Sequence, residues 1–302
     1  MTDERPGPDA RYTRLAADHL PPALAERWTA LLRPCVSLRH ATAADRPVAT
    51  LGGTPELPPD TPWPEWPGHG PLSFIASVHC AALSPETLPP GFPPDGTLLF
   101  FFYDGQGGDG SFFSAYDPET WAGAQVLHIP DGTEVHPAHV PRELEPYPRT
   151  DLAGETEWSA PDLWLPQARA ALLDGGGVWP ELRDTAPQLR SFRRAFDRLN
   201  SGIGHRLGGH AVPIQGPVEY EIADAELGPG RSWGDPSLDR EAERWVLLAQ
   251  FDSDDDAKMT WGDAGALYWL IRPEGVAYVR QTPGECAHRA VSEACVGRPG
   301  LE

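Results

Sequence analysis

The sequence is short of the residues from which many sites are built. Its four cysteines, Cys35, Cys80, Cys286 and Cys295, are widely spaced and form no CxxC pair, so neither a disulfide framework nor a structural zinc site finds support. Basic residues are scarce too: 24 Lys and Arg stand against 44 Asp and Glu, a formal net charge of −20. A phosphate backbone or an anionic lipid surface is repelled by most of such a chain, so neither nucleic acid nor membrane is expected as a partner. No stretch approaches the eighteen or so apolar residues of a membrane span, and Met1 to Tyr12 contains no apolar core of a secretory signal. The expected location is the cytoplasm.

Catalytic signatures are missing as well. The segment Gly108-Asp-Gly-Ser-Phe is no G-x-S-x-G elbow, and Gly105-Gln-Gly-Gly-Asp-Gly110 lacks the lysine of a phosphate-binding loop and carries an acid that repels phosphate. Cys286-Ala-His288 is too local to read as a dyad. His136-Pro-Ala-His139 offers two imidazoles, but Pro137 opposes the helical i, i+3 face that would bring them together.

What the chain does have is breakers and aromatics. Across 302 residues there are 35 Pro, 31 Gly, 11 Trp, 10 Phe and 7 Tyr, with 40% hydrophobic residues. That is enough apolar material for a core, and the breakers punctuate short strands. Residues 1–21 read as a flexible N-terminal segment. Pro21-Pro22 followed by Leu24, Trp28, Leu31 and Leu32 predicts an amphipathic helix closed near Pro34, within an N-terminal helical segment 22–45. Residues 46–129 form a first β-rich unit, and 130–204 a surface connection followed by two helices. One of these is expected at 161–174 and one from Thr185 to Asn200, with Leu189, Phe192, Phe196 and Leu199 on one face. Residues 205–302 form a second β-rich unit.

The two units echo each other. Leu51-Gly-Gly-Thr-Pro55, Phe74-Ile-Ala-Ser-Val78 and Asp95-Gly-Thr-Leu-Leu-Phe-Phe101 are answered in order by Leu207-Gly-Gly-His-Ala211, Leu247-Leu-Ala-Gln-Phe251 and Ala264-Gly-Ala-Leu-Tyr-Trp-Leu270. Paired glycines permit a positive-φ turn, and the following runs read as central strands. The expected fold is α+β, mainly antiparallel β with a few flanking helices, an internal duplication about a pseudo-twofold axis in one compact unit.

On these residues the chain resembles the YwqG-like proteins, a bacterial group without an agreed activity. The matching stretches include Leu51-Gly-Gly-Thr-Pro-Glu-Leu-Pro58, Leu98-Leu-Phe-Phe-Phe-Tyr-Asp104 and, most distinctively, Leu247-Leu-Ala-Gln-Phe-Asp-Ser-Asp254 running on to Trp261-Gly-Asp-Ala-Gly-Ala-Leu-Tyr268. The resemblance implies a mixed α+β fold dominated by antiparallel strands and brings no catalytic residues. Where the pattern has Gln before an acidic position, this chain keeps Gln250 in the second unit but has Ser77 and His79 in the first.

The candidate site is the acidic end of the strand in the second unit: Gln250, Asp252, Asp254, Trp261 and Asp263. Counted from Asp252, acids fall at positions 1, 3, 5 and 12 of an EF-hand-like loop, but Ala257 replaces the turn glycine and Asp263 the bidentate Glu. A turn whose Asp side chains accept local backbone N–H groups fits the same residues. Two functions follow. The first is a non-catalytic binding or interaction protein, holding a peptide, protein or small ligand, and favouring a basic partner, in a cleft rimmed by acids and aromatics. The second is a metal-dependent hydrolase or transferase with a divalent cation at Asp252, Asp254 and Asp263. Whether the chain is an enzyme is left open.

Overall fold

The structure, a computed structural model, describes residues 10–89, 92–106, 110–173, 187–200, 202–228, 230–262, 265–273 and 292–293. Two helices, α1 (Ala10–His19) and α2 (Pro22–Thr29), lead into strands β1 (Arg33–His40), β2 (Ala49–Leu51) and β3 (Glu56–Leu57). Next come β4 (Glu65–Trp66), β5 (Gly70–Pro71), β6 (Ser73–His79), β7 (Thr97–Phe102), β8 (Ala124–Ile129), β9 (His136–Pro137) and β10 (Thr150–Ser159). Helices α3 (Pro166–Leu172) and α4 (Pro187–Leu199) precede β11 (His205–Leu207). Helices α5 (Val218–Leu227) and α6 (Pro236–Ala242) precede β12 (Val246–Asp252), β13 (Ala266–Ile271) and β14 (Ser292–Glu293).

Ten of these strands form one antiparallel sheet in the order β14-β13-β12-β11-β1-β10-β2-β6-β7-β8, while β3–β9 and β4–β5 make two short ribbons. The large sheet curls. Phe100 of β7 and Phe251 of β12 are far apart in strand order, yet their ring centroids lie 5.3 Å apart, and both meet Trp269 of β13 edge-on. The fold is thus α+β and mainly antiparallel, with the main core inside the curl.

The helical layer follows from the sequence pattern. Pro21 enters α2 in an extended conformation and Pro22 supplies a helix-ready φ at the first position. Trp28 is fully buried and packs edge-on against Phe192 and Phe196, at 5.0 and 6.0 Å between centroids. Leu189, Phe192 and Phe196 bury one face of α4, with Leu199 packed against the same cluster. Thr185, the expected cap of this helix, lies outside the described residues.

Three segments differ from expectation. Residues 10–19, expected within a flexible N-terminal segment, form α1, with Tyr12, Leu15 and Ala16 buried. Residues 33–40 leave the helical segment to become β1, and residues 150–159, expected within a surface connection, become β10. The pair lies at the centre of the sheet, with Arg33↔Ser159 through His40↔Leu152 in register. Neither sequence alternates strongly enough to announce a strand. Pairing on both edges satisfies their backbone groups and overrides local preference.

The paired glycines act as read. Gly52 and Gly53 take φ of 58° and 78°, Gly208 and Gly209 of 65° and 68°. A Cβ on Gly208 would stand 2.3 Å from the Thr87 carbonyl oxygen. Registers match across the units: Leu51 pairs with Ala76 and Leu207 with Ala249. Gly52 N–H donates to Ile75 O and Gly208 N–H to Leu248 O, and each long strand bulges at that step, between Phe74 and Ala76 and between Leu247 and Ala249.

Candidate functional site

The acidic strand end is tied down by the backbone around it. Gln250, fully buried in β12, donates from Nε2 to Ile203 O and Gly204 O at 3.1 and 2.9 Å and accepts the Val212 N–H at 2.9 Å. Asp252 accepts the N–H groups of Gly204 and Ser253. Asp254 starts a tight turn closed by Met259 and takes the Ala257 N–H on Oδ1 at 2.8 Å, so the acids do accept local N–H groups. Trp261 is 3% exposed, packed edge-on against Phe102 and Tyr147. Asp263 lies outside the described residues.

Asp254 gathers two residues that the sequence did not single out. His40, at the end of β1, places Nε2 2.6 Å from Asp254 Oδ2 and Nδ1 3.1 Å from Asp256 Oδ2. His205, at the start of β11, places Nε2 3.2 Å from the same Asp254 oxygen. Their separation in sequence, 214 and 49 positions from Asp254, leaves no local signal; only the strand order brings them together.

Hydrogen bonding assigns the protons. The Asp252 N–H donates to His205 Nδ1 at 3.1 Å, so His205 Nε2 carries the hydrogen that faces Asp254. Burial pushes the His205 imidazole below its ordinary value, and it stays neutral. The hydrogen bond to Asp254 and the nearby carboxylates raise His40, whose Nε2 faces Asp254 and whose Nδ1 faces Asp256. Burial opposes ionisation of Asp254, but bonds from His40, Ala257 N–H and His205 outweigh it and hold the carboxyl below its usual range.

One ligand atom from each of His40, His205 and Asp254 falls within 4.8 Å of the others, close enough for a divalent cation. The bonding pattern opposes that use. A metal-bound imidazole keeps a lone pair toward the ion and donates its other N–H outward. Here the outward nitrogen of His205 accepts a backbone N–H, so ligation needs the proton moved to Nδ1 and that bond broken.

A different feature has the shape of a binding site. A cleft of about 1150 Å³ lies over β2, β6 and β7 on the opposite face from the main core. Its floor includes Thr50, Ser77, Thr97 and Leu99, cross-strand neighbours as Thr50↔Ser77↔Leu99 and His79↔Thr97. Charge of both signs rims it: Arg46 and Arg149 with Glu56 and Asp131. Arg149 is held by Asp151 at 2.8 Å. Arg39 grips both oxygens of Asp45 at 2.9 and 3.0 Å, fixing the turn that presents Arg46, and Arg46 makes no ion pair among the described residues.

The equivalent ladder of the second unit, Arg206↔Gln250↔Tyr268, is covered. Gln250 accepts the Val212 N–H, and Tyr268 Oη donates to Val212 O at 2.9 Å, sealing residues near Val212 onto the sheet. Ser77 is too short for that bond. Ser77 thus lies on an open cleft in the first unit, while Gln250, Asp252 and Asp254 belong to a hydrogen-bond network in the second.

No curated protein matches the chain. Over residues 49–280, more than half of its length and all of the sheet from β2 through β13, it matches the domain of unknown function DUF1963, and it therefore belongs to this family, that of the YwqG-like proteins.

Proposed function

We propose that this chain is a binding protein whose ligand lies in the cleft over β2, β6 and β7. The observation that carries the reading is the contrast between an open polar face at Ser77 and the sealed face at Gln250. The lining has hydroxyls for backbone-like partners, two arginines and two acids, and little aromatic surface on which a flat ring could stack. A short peptide with acidic and basic side chains meets that lining. The net charge of −20 favours approach of a basic partner over longer distances. Matched glycines, registers and bulges support reading the two units as copies, one kept for binding and one closed.

The test is a screen of mixed-charge peptides by fluorescence polarisation against the wild-type protein, Ser77→Trp and Arg149→Ala. The reading expects binders whose affinity falls at least tenfold in Ser77→Trp, where the indole fills the floor. Binders equally tight in both variants would place the ligand elsewhere.

A second reading, a metal-dependent hydrolase or transferase, draws support from the spacing of His40, His205 and Asp254 in place of the expected Asp252, Asp254 and Asp263. Thermal shifts with Zn²⁺, Mn²⁺, Mg²⁺ and Ca²⁺ on wild type and Asp254→Ala test it. Stabilisation of wild type alone would favour it, and no shift would remove it.

A further inference from the structure

Helix α4 carries a charge pattern at odds with the rest of the chain. In a protein with 44 acidic and 24 basic residues, its sequence Pro187-Gln-Leu-Arg-Ser-Phe-Arg-Arg-Ala-Phe-Asp-Arg-Leu199 holds four arginines against one acid. Arg193 has partners: its Nε lies 3.8 Å from Asp197, and its guanidinium stands 5.7 Å from the centre of the Trp164 ring. Arg190, Arg194 and Arg198 are exposed and make no ion pair among the described residues. They stand at i, i+4 and i+8, one ridge of the helix, on the side away from Leu189, Phe192 and Phe196, which bury their side chains in the cluster around Trp28. Like charges at this spacing repel and weaken a helix. The ridge therefore opposes the fold that carries it, and the described residues offer no acid to relieve it.

We propose that this ridge is a docking surface for an acidic segment of a partner protein, whose carboxylates pair with Arg190, Arg194 and Arg198. A rise of about 1.5 Å per residue sets successive arginines about 6 Å apart along the helix. Alternate side chains of an extended segment, spaced about 6.7 Å, fall nearly in step with them. Each guanidinium offers a carboxylate two parallel N–H groups. The ridge shares no residue with the cleft over β2, β6 and β7.

Charge complementarity selects the class of partner. A membrane surface or a nucleic acid is a large polyanion and meets the net charge of −20 along with the ridge. A short acidic segment feels only the charges within a Debye length, about 8 Å. Insertion of a helix into lipid also needs an apolar face, and that of α4 is buried in the core.

The experiment is fluorescence anisotropy of a labelled Glu-Thr-Glu-Thr-Glu peptide and its Gln-Thr counterpart, titrated with the full chain at low and high salt. Wild type is expected to bind the glutamate peptide and not the glutamine one, with an affinity that falls severalfold as salt screens the pairs. The combined variant Arg190→Gln, Arg194→Gln and Arg198→Gln should bind tenfold or more weakly while melting at or above the wild-type temperature, because the repulsion is relieved. The proposal is overturned if the glutamate peptide does not bind, if the glutamine peptide binds as well, or if the combined variant binds with unchanged affinity or melts below wild type. It is also overturned if Ser77→Trp, which blocks the cleft, weakens binding as much as the combined variant does. Tighter arginine-dependent binding to phosphatidylserine vesicles or duplex DNA, or self-association lost in the combined variant, would overturn it in favour of a lipid, a nucleic acid or a second copy of this chain.

Discussion

Ser77 and Gln250 occupy matching places, each paired across the sheet with the residue two before a positive-φ glycine, Thr50 before Gly52 and Arg206 before Gly208, and Ser77 faces an open cleft where Gln250 is sealed in. Gln250 reaches the Val212 N–H at 2.9 Å and the carbonyls of Ile203 and Gly204, whereas Ser77 lies half-buried on the cleft floor. Gln250→Ala strips three bonds from buried backbone and leaves a void. It is expected to cost about 3 kcal/mol, read as a lower midpoint in urea denaturation. Ser77→Ala should fall within about 0.5 kcal/mol of wild type.

The His40–Asp254 contact predicts a pH-dependent contribution to stability. His40 is raised in the folded state, so its contribution is fully present below its unfolded value near 6.5 and is lost as pH rises through the folded value. Asp254 is depressed, so its share is present above about 3.8 and lost as pH falls through its folded value. His205, held neutral, opposes stability as pH falls below about 6.5. The difference in stability between wild type and His40→Gln isolates the first effect. It should be largest between about pH 4.5 and 6.5 and shrink above that, measured by denaturation across the range. A difference that grows toward pH 9 would contradict the proton assignment.

Removing Asp254 itself leaves His205 Nε2–H and the Ala257 N–H buried without their acceptor. Asp254→Ala is expected to cost about 2–4 kcal/mol. His40→Gln in that background should cost clearly less than in wild type, as a double-mutant cycle would report.

The buried Glu219 carboxyl predicts a further loss of stability at higher pH. Raised from 4.5 to about 7, it withholds stability above pH 7 that returns as pH falls toward its unfolded value. Glu219→Gln should therefore be more stable than wild type at pH 8, on the order of 3 kcal/mol, and the gain should vanish near pH 4.5. Thermal melts of the two proteins at those pH values check it.

The glycine turns supply a backbone test. Gly208→Ala combines positive φ with a Cβ 2.3 Å from the Thr87 carbonyl oxygen and should cost more than about 2 kcal/mol. Gly132→Ala, also at positive φ but with nothing within 4 Å, should cost only about 1 kcal/mol.

Much of the sheet was legible because its signals are local. Leu51-Gly52-Gly53 and Leu207-Gly208-Gly209 mark positive-φ turns, and Phe192 and Phe196 share a helical face. The central strands were not, since Arg33–His40 and Thr150–Ser159 become strands through pairing with each other. The cluster around Asp254 was half legible. Its acids lie together in sequence, but its histidines arrive from β1 and β11. The departure from Gln at Ser77 could be read in the sequence; that Ser77 lies on a cleft depends on what the rest of the chain leaves open.

The central claim is that the first unit's open face holds the ligand. Amide chemical-shift mapping of the labelled protein with a mixed-charge peptide found in the screen tests it most directly. The account predicts perturbations at Thr50, Ser77, His79, Thr97 and Thr133, and their loss in Ser77→Trp. Perturbations confined to His205, Gln250 and Asp254, or unchanged by Ser77→Trp, would contradict it.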